Sequence, residues 1–440
     1  MASRAKDNKV LLLGISGMDY RITRGLMAAG KLPSFKKLAE LGSFIKLDSC
    51  TPAENNVSWI SLATGLNAGK HGFFDAVARK AQTYTPELVS AKIKAAAEID
   101  NKNIKEKLVW EILSKAGFSA SAAHWPLSSL SWEIEPDSSQ QESAELILQQ
   151  TSETEKAQER AFWQEFHEFQ KWDQGILAFR FDSLNLLQRT FWNDQIIGKE
   201  NDKITVNKVV VEYYERKDFL LGQILEKIGS TAIIVASNHG ITSFERTFHL
   251  NTWLAENGFM QLTTELPQAA GSPFFRSVDW DTTRAYALGF SSLYLNLDQR
   301  EGKGVVKDKE RLIKELMTKL ESVVDTKTGE RIIHKISRRE ELYSGRYLND
   351  APDLILSLKP GYQMSWQTAV GGLGLTIIED NSRGLSGNHQ VDPSFIPGVL
   401  FSNRKGEKLS ASGLDVAPTI LEILGVEIPP KMDGKSLLKS

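Results

Sequence analysis

The chain lacks the features that mark several classes of protein. Cys50 is the single cysteine among 440 residues, so neither an internal disulfide nor a site built from several thiolates can form. The first apolar run, VLLLGI, is too short for a signal-peptide core or a membrane span, and no other run approaches membrane length. We therefore expect a cytoplasmic protein that does not insert into a membrane.

An excess of charge of either sign is also missing. Lys and Arg together number 53, against 55 Asp and Glu, which gives a formal net charge of −2. Proteins that bind nucleic acid or anionic membranes through their overall charge carry a marked excess of basic residues. The balance found here predicts no nucleic-acid partner.

Four short runs, taken together largely apolar, indicate the fold class. They cover residues 10–15, 119–123, 176–181 and 231–236, with helical segments between them. Short apolar runs of this kind are typical of parallel strands that helices cover on both faces. The sequence predicts an α/β fold with a doubly wound, mostly parallel central sheet, in which ligands bind at the carboxyl ends of the strands.

Two stretches depart from this rhythm. Residues 138–160 are rich in Ala, Gln, Glu and Ser, which indicates a surface connection or an exposed helix rather than core. Residues of about 261–357 combine the strand-like AYALGFSSLYLNL with a charged helix. We therefore predict one domain over residues 1–440, with a small cap subdomain inserted at about 261–357.

Motifs follow the predicted strands in a fixed order. They are GISGMD at 14–19, GKLPSFKKLAELGS at 30–43, TPAENNVSWISLATGLNAGKHGFFD at 51–75, SNHGITSFERTFHLNTWL at 237–254, and then REELYSG, NDAPDLIL, GNHQVDPSFIPG and LDVAPTILEILG. Together they resemble the type I phosphodiesterase and nucleotide pyrophosphatase branch of the alkaline phosphatase superfamily. The resemblance runs from residue 10 to the C-terminus and implies an alkaline phosphatase-like fold.

The resemblance also implies a chemistry. Active members of this family use two metal ions, usually zinc, with a Ser or Thr nucleophile between them. Two neighbouring cations stabilise the attacking and leaving oxygens of a displacement at phosphorus, and carboxylates and neutral imidazoles suit the ion.

At three of the family's positions this sequence departs from the pattern. Ser16 stands where the first strand is followed by a metal-binding aspartate, and Asn55 stands at the position of the nucleophile. Asn238 replaces the aspartate of the family's Ser-Asp-His-Gly motif. An amide does not attack phosphorus usefully, so the match fails at the chemistry.

Three residues of metal-binding type remain. Asp182 and His389 belong to one site of the family pattern and His239 to the other, so these three would hold a metal only if any metal is bound. A histidine ligand is missing as well, because the expected histidine falls at Arg189 by alignment on the following Phe-Trp pair, or at Leu186 by spacing from Asp182.

Uncharged side chains dominate the predicted pocket. A neutral, amide-rich pocket suits a sugar, a nucleoside or a loop of another protein, or it is empty; its members are Ser16, Asn55, Asn56, Asn238 and Asn388. His239 and His389 are metal ligands in one interpretation and hydrogen-bonded relics in the other. Arg189 either substitutes for the lost metal charge beside Asp182 or is a solvated helical residue.

Two hypotheses about function follow. In the first, the chain is a catalytically inactive phosphodiesterase-like protein, a binding or scaffolding subunit that needs no cofactor and acts with a protein partner or a second copy of itself. In the alternative, it is a divergent phosphodiesterase or phosphatase that uses zinc or another divalent metal, with Asp182, His239 and His389 carrying the chemistry. Fold alone favours neither.

Overall fold

The structure is a computed structural model that describes residues 8–89, 107–125, 144–192, 196–197, 204–382, 384–406 and 410–438. The strands are β1 Lys9–Ile15, β2 Ser43–Asp48, β3 Val77–Lys80, β4 Thr85–Leu88, β5 Ser119–Ala123, β6 Gly175–Phe181, β7 Ile196–Ile197, β8 Ile204–Thr205, β9 Ala232–Ala236, β10 Thr242–Phe248, β11 Ala285–Ala287, β12 Ser292–Leu295, β13 Ile333–Arg338, β14 Leu354–Leu358, β15 Gly361–Met364, β16 Ile378–Asp380, β17 Gly387–Asn388, β18 Gly398–Ser402 and β19 Ser410–Ser412.

Helices alternate with many of these strands. They are α1 Tyr20–Ala28, α2 Pro33–Leu41, α3 Asn55–Thr64, α4 Ala68–His71, α5 Val109–Lys115, α6 Ala144–Gln170, α7 Ser183–Thr190, α8 Lys208–Lys227, α9 Leu250–Glu256, α10 Leu266–Ala269, α11 Lys309–Leu320, α12 Arg339–Leu342, α13 Trp366–Ala369 and α14 Val416–Ile423. Short 3-10 helices cover Pro393–Phe395 and Gly413–Asp415.

A seven-stranded sheet forms the centre of the fold. Its strand order is β19-β2-β18-β9-β1-β6-β5. Neighbours β9, β1, β6 and β5 run parallel, whereas β18 runs antiparallel to both β9 and β2. The predicted doubly wound, mostly parallel sheet is confirmed, and it brings the carboxyl ends of β1, β6 and β9 side by side at one edge.

Helices bury both faces of this sheet. The apolar core on one face contains side chains of α1, α2, α6, α7 and α8, and the core on the other face contains side chains of α3, α5 and α14. Every residue of β6 and β9 is buried, as predicted for doubly covered strands. The edge strand β5 differs, because all five of its residues remain at least partly exposed.

Helix α6 accounts for most of the polar stretch at 138–160. Residues 138–143 lie outside the described ranges, and the helix beyond them packs one face onto the protein rather than standing free. Glu155 on that face forms an ion pair with Lys217 of α8, and both side chains are 2% exposed. The Lys217 ammonium also lies 3.5 Å from the centroid of the Phe181 ring. Part of this polar stretch therefore lies in a buried contact between two helices.

An antiparallel sheet lies apart from the central one. Its strand order is β11-β12-β14-β13, and the charged helix predicted near it is α11. Its apolar core also takes in residues of the β3–β4 hairpin and of α9, which lie outside 261–357. The cap boundaries therefore stay a prediction. Among the described residues, no helix is long and apolar enough to cross a membrane.

His71 joins α4 to α3 in the interior. Its Nδ1 accepts a hydrogen bond from the Phe73 amide at 3.2 Å, so Nε2 carries the proton and donates to Ser61 Oγ at 2.9 Å. Burial lowers the pKa of His71 from 6.5 to about 3, and the charge of Asp433 opposes this shift. The imidazole is therefore neutral and acts as a donor that fixes α3, not as a base for Ser61.

Acid should destabilise the fold through His71. Between pH 6.5 and about 3 the unfolded chain binds a proton that the folded chain does not, so stability is present above this window and falls with pH. We expect this residue to remove about 2 kcal/mol of unfolding free energy between pH 7 and pH 5. Urea unfolding of a His71→Gln variant should show a flatter pH dependence, whereas His167→Gln at an exposed position should keep the wild-type slope. Equal slopes in all three proteins would contradict this expectation.

Candidate functional site

Three uncharged side chains meet at the carboxyl edge of the central sheet. Asn238 Nδ2 donates to Asn55 Oδ1 at 2.6 Å, and Ser16 Oγ lies 3.2 Å from Asn55 Oδ1 and 3.4 Å from Asn238 Oδ1. Ser16 and Asn238 are buried, and Asn55 is half-buried. We call these three residues the amide cluster. Its members satisfy one another by hydrogen bonds and bring no charge to the site.

The order of the elements places the amide cluster. Ser16 follows β1 and Asn238 lies just beyond β9, and these two strands are parallel neighbours. Asn55 is the first residue of α3, whose N-terminus is capped by Glu54 through a 2.9 Å bond from the Val57 amide. The chain turns sharply after Ser16 at Gly17, where φ is +81° and a Cβ would lie 2.9 Å from the backbone of α7. A glycine there lets α7 approach the strand end.

Two histidines stack beside the cluster. The rings of His239 and His389 are nearly parallel at 4°, with centroids 4.2 Å apart. Burial lowers the pKa of His239 to about 4 and that of His389 well below 6.5, so both rings are neutral at physiological pH. His239 Nδ1 donates to the Gly240 carbonyl at 2.8 Å, which leaves the lone pair of Nε2 buried without a partner. This tautomer presents an acceptor to the site.

Arg189 lies beside the histidines. The Arg189 side chain is buried, and its charge contributes to the lowered pKa of both His239 and His389. The contact arises because α7 packs on the segment before His389, where the Ser386 amide donates to the Arg189 carbonyl at 2.7 Å. A guanidinium thus stands next to the imidazoles at this edge of the sheet.

Asp182 occupies the end of β6 with two neighbours that sequence analysis did not select. Arg180 donates to its carboxylate at 2.9 Å, while the second carboxylate oxygen is buried without a partner. Burial raises the pKa of Asp182, and the charges of Arg180 and His124 oppose the rise. His124 lies at the end of β5 with φ at +61°, an unusual conformation for a residue with a side chain. The one available signal was its position directly after a strand.

Other predicted pocket residues have structural contacts. Asn388 donates to the Tyr362 carbonyl at 3.1 Å and accepts from the Gln390 amide at 2.7 Å, so its side chain holds local backbone. Asn56 is half-buried on α3, outside the hydrogen bonds of the amide cluster. The next acid of the first motif, Asp19, caps α1 and pairs with Arg21.

The residues present do not fit the family's two-metal site. A catalytic zinc ion needs about three protein ligands. Within the described ranges, no group of three or more His, Cys, Asp or Glu side chains could hold a metal ion. His239 Nε2 and one oxygen of Asp182 are suitable donors, whereas Ser16 and Asn238 of the amide cluster offer a hydroxyl and an amide rather than carboxylates. No step through a metal follows from this geometry.

Sheet order and motif positions together define an alkaline phosphatase-like fold. Residues 10–372 match the family model described as type I phosphodiesterase / nucleotide pyrophosphatase. The chain therefore belongs to the type I phosphodiesterase and nucleotide pyrophosphatase family, and the resemblance drawn from its motifs is confirmed.

Solved structures support the same fold. Human ectonucleotide pyrophosphatase/phosphodiesterase 5 is 14% identical, with 97% of both chains covered and a TM-score of 0.54. An inactive variant of the murine protein in complex with AMP is 12% identical, with coverage of 97% and 96% and a TM-score of 0.56. Identities this low carry the fold alone.

Curated relatives match over a short stretch. The 2,3-bisphosphoglycerate-independent phosphoglycerate mutases of Paracoccus denitrificans and Agrobacterium fabrum are each 38% identical over 64 residues. This stretch is 14% of this chain and 12% of each mutase, so the chain spans a small part of their length.

Proposed function

We propose that this chain is a phosphodiesterase-family protein that has lost phosphoester hydrolysis and acts as a binding or scaffolding subunit, with a protein partner or a second copy of itself. The amide cluster carries the proposal. Asn55 stands where the family has its nucleophile, and its Oδ1 accepts a 2.6 Å hydrogen bond from Asn238. A carboxamide is neither a nucleophile toward phosphorus nor a group that an adjacent base can activate.

Electrostatics support the same conclusion. Hydrolysis at phosphorus requires positive charge where the transition state gathers negative charge, which the family supplies with two metal ions. Ser16 and Asn238 are buried within a hydrogen-bonded cluster and offer no carboxylate to hold such ions. Losing one member of a catalytic unit costs orders of magnitude in rate. Here nucleophile and carboxylates are replaced together.

The second candidate is a divergent metal-dependent phosphodiesterase. Three buried atoms favour it: His239 Nε2, His389 Nδ1 and one Asp182 oxygen have no hydrogen-bond partner, and all are of ligand type. An unpartnered buried polar atom is costly, and a bound cation would satisfy it. The first candidate is favoured because hydrolysis by the second would also need a nucleophile, and Asn55 cannot act as one.

Hydrolysis of a model diester separates the two. The purified chain is incubated with bis-p-nitrophenyl phosphate in the presence of zinc, manganese or magnesium, beside an active family member. We expect the release of nitrophenolate to match the protein-free blank under all three metals. A metal-dependent rate above the blank, lost in an Asp182→Asn variant, would support the divergent enzyme and contradict the proposal.

A further inference from the structure

A cavity of about 180 Å³ lies along the side of α3. Six separate parts of the chain form its walls: the end of β2 with the segment after it, one face of α3, the start of α4, the segment after β9, the end of α12, and the 3-10 helix after β19. Side chains with hydroxyl or amide groups stand in its walls; they are Ser49, Thr51, Ser58, Ser61, Asn67, Asn238 and Ser412. We call this space the serine cavity.

The serine cavity carries no charge. Its two titratable wall residues are Cys50 and Tyr343. Burial raises the pKa of the Cys50 thiol to about 12 and that of the Tyr343 phenol well above 10, so both are protonated at neutral pH. An ionised ligand group would therefore lose its hydration without gaining a counter-charge. The cavity selects against phosphate, carboxylate and ammonium groups.

Its hydroxyl groups are already ordered by one another. Ser58 Oγ lies 3.1 Å from both Ser49 Oγ and Cys50 Sγ, and Ser61 Oγ accepts the 2.9 Å bond from His71. A hydroxyl has one donor and two acceptor positions, so each keeps capacity for a further bond. Held in place on α3 and the loop before it, they form a preset row of donors and acceptors.

The serine cavity reaches the candidate site through Asn238. This side chain both lines the cavity and belongs to the amide cluster, where it donates to Asn55. A molecule in the cavity would therefore lie against the amide that replaces the family's aspartate. Substitution by Asp would place a charge at the same wall.

We propose that the serine cavity binds an uncharged polyhydroxylated molecule of the size of one monosaccharide. In one respect, the position of the ligand beside the amide cluster, this inference rests on the proposed non-hydrolytic function. A volume of 180 Å³ equals about six water molecules at about 30 Å³ each, below the range of about 300–1,000 Å³ typical of drug-sized ligands. A single sugar ring would displace that water. Its hydroxyls would then form hydrogen bonds with the hydroxyl-lined wall in place of their hydrogen bonds to water.

Cys50 reports directly on occupancy. It is the single cysteine of the chain and lines the cavity. Because burial keeps most of its thiol protonated, alkylation by iodoacetamide at pH 9 is slow, and the label on Cys50 is followed over hours by peptide mass spectrometry. D-Glucose, D-galactose, D-mannose and myo-inositol are tested for protection, with glucose 6-phosphate as the charged counterpart. At about ten times its Kd, a bound sugar should slow labelling about tenfold, since only the empty fraction reacts. Methyl glucoside mimics the terminal residue of a glycan. Its protection of Cys50, compared with that by free glucose, distinguishes a free sugar from a terminal glycan residue as the ligand.

A cavity variant gives the matched control. Gly413 lines the cavity, its φ is not positive, and a Cβ there would meet only the Asp48 carbonyl oxygen, at 3.8 Å. Gly413→Leu should fold and abolish the protection. Gly384→Leu adds the same side chain in open space and should keep it. Thermal unfolding of both variants verifies that they are folded.

Three results would overturn the proposal. They are labelling of Cys50 that no sugar of the panel slows, protection by glucose 6-phosphate equal to that by glucose, and protection that survives in Gly413→Leu. None of them depends on hydrolysis, so failure here leaves the non-hydrolytic function standing. Conversely, a metal-dependent diesterase rate would remove that function without touching the labelling result.

Discussion

A quadruple variant, Ser16→Asp, Asn55→Thr, Asn238→Asp and Arg189→His, should regain a stability that depends on zinc. The three cluster positions lie within hydrogen-bonding distance, and Arg189 is close enough to His239 and His389 to affect their pKa. Without metal the two new carboxylates repel each other and raise each other's pKa, so the variant should melt below the wild type in chelator. Free zinc at about 100 times its Kd should then add about 2.7 kcal/mol.

Thermal melts across a zinc titration measure this effect. The matched control carries Ser16→Asn in place of Ser16→Asp, which keeps the size of the side chain and withholds the charge. Its Tm should respond to zinc less than that of the quadruple variant. A quadruple variant whose Tm ignores zinc would mean that the backbone around the cluster has changed as well as its side chains.

An Asp353→Asn substitution should destabilise the antiparallel sheet strongly. The carboxylate is fully buried, binds Arg300 through two bonds of 2.9 and 2.6 Å, and accepts from the Leu295 amide of β12 at 2.8 Å. Removing its charge leaves the Arg300 guanidinium in a largely buried position with a weakened partner. We expect a loss of about 3–5 kcal/mol in the free energy of unfolding.

Asp281 provides the control for this loss. Its ion pair with Lys303 is mostly exposed, with side chains 71% and 56% accessible. The same Asp-to-Asn change there should cost less than about 1 kcal/mol, as exposed pairs usually do. Urea unfolding of the two variants tests the contrast. Equal losses would mean that the buried ion pair contributes no more to the free energy of unfolding than a surface ion pair does.

The parts of the fold that could be predicted depend on short-range pattern. The apolar runs at 10–15, 176–181 and 231–236 became β1, β6 and β9 within a residue or two, because a strand buried on both faces has few other ways to satisfy its side chains. Once those strands are parallel neighbours, the polar residues after them must meet at one edge. The meeting of Ser16 with Asn238 follows from that rule.

Other features depend on contacts that no local pattern encodes. Glu155 and Lys217 are far apart in sequence and charged, so each alone indicates a solvated surface; only their pairing between α6 and α8 allows burial. The stacking of His239 on His389, and the presence of Arg189 beside them, need the packing of α7 on the segment before β17. The serine cavity is harder still to predict, since its walls come from six separate parts of the chain.

Metal content tests the central claim most directly. The wild-type chain is dialysed against zinc, then against metal-free buffer, and bound zinc is measured by elemental analysis beside the quadruple variant. Because His239, His389 and Asp182 lack the accompanying carboxylates, the account predicts well under about one zinc per chain in the wild type. About one or two equivalents that resist a chelator would contradict it, because the amide cluster would then lie beside an intact metal centre.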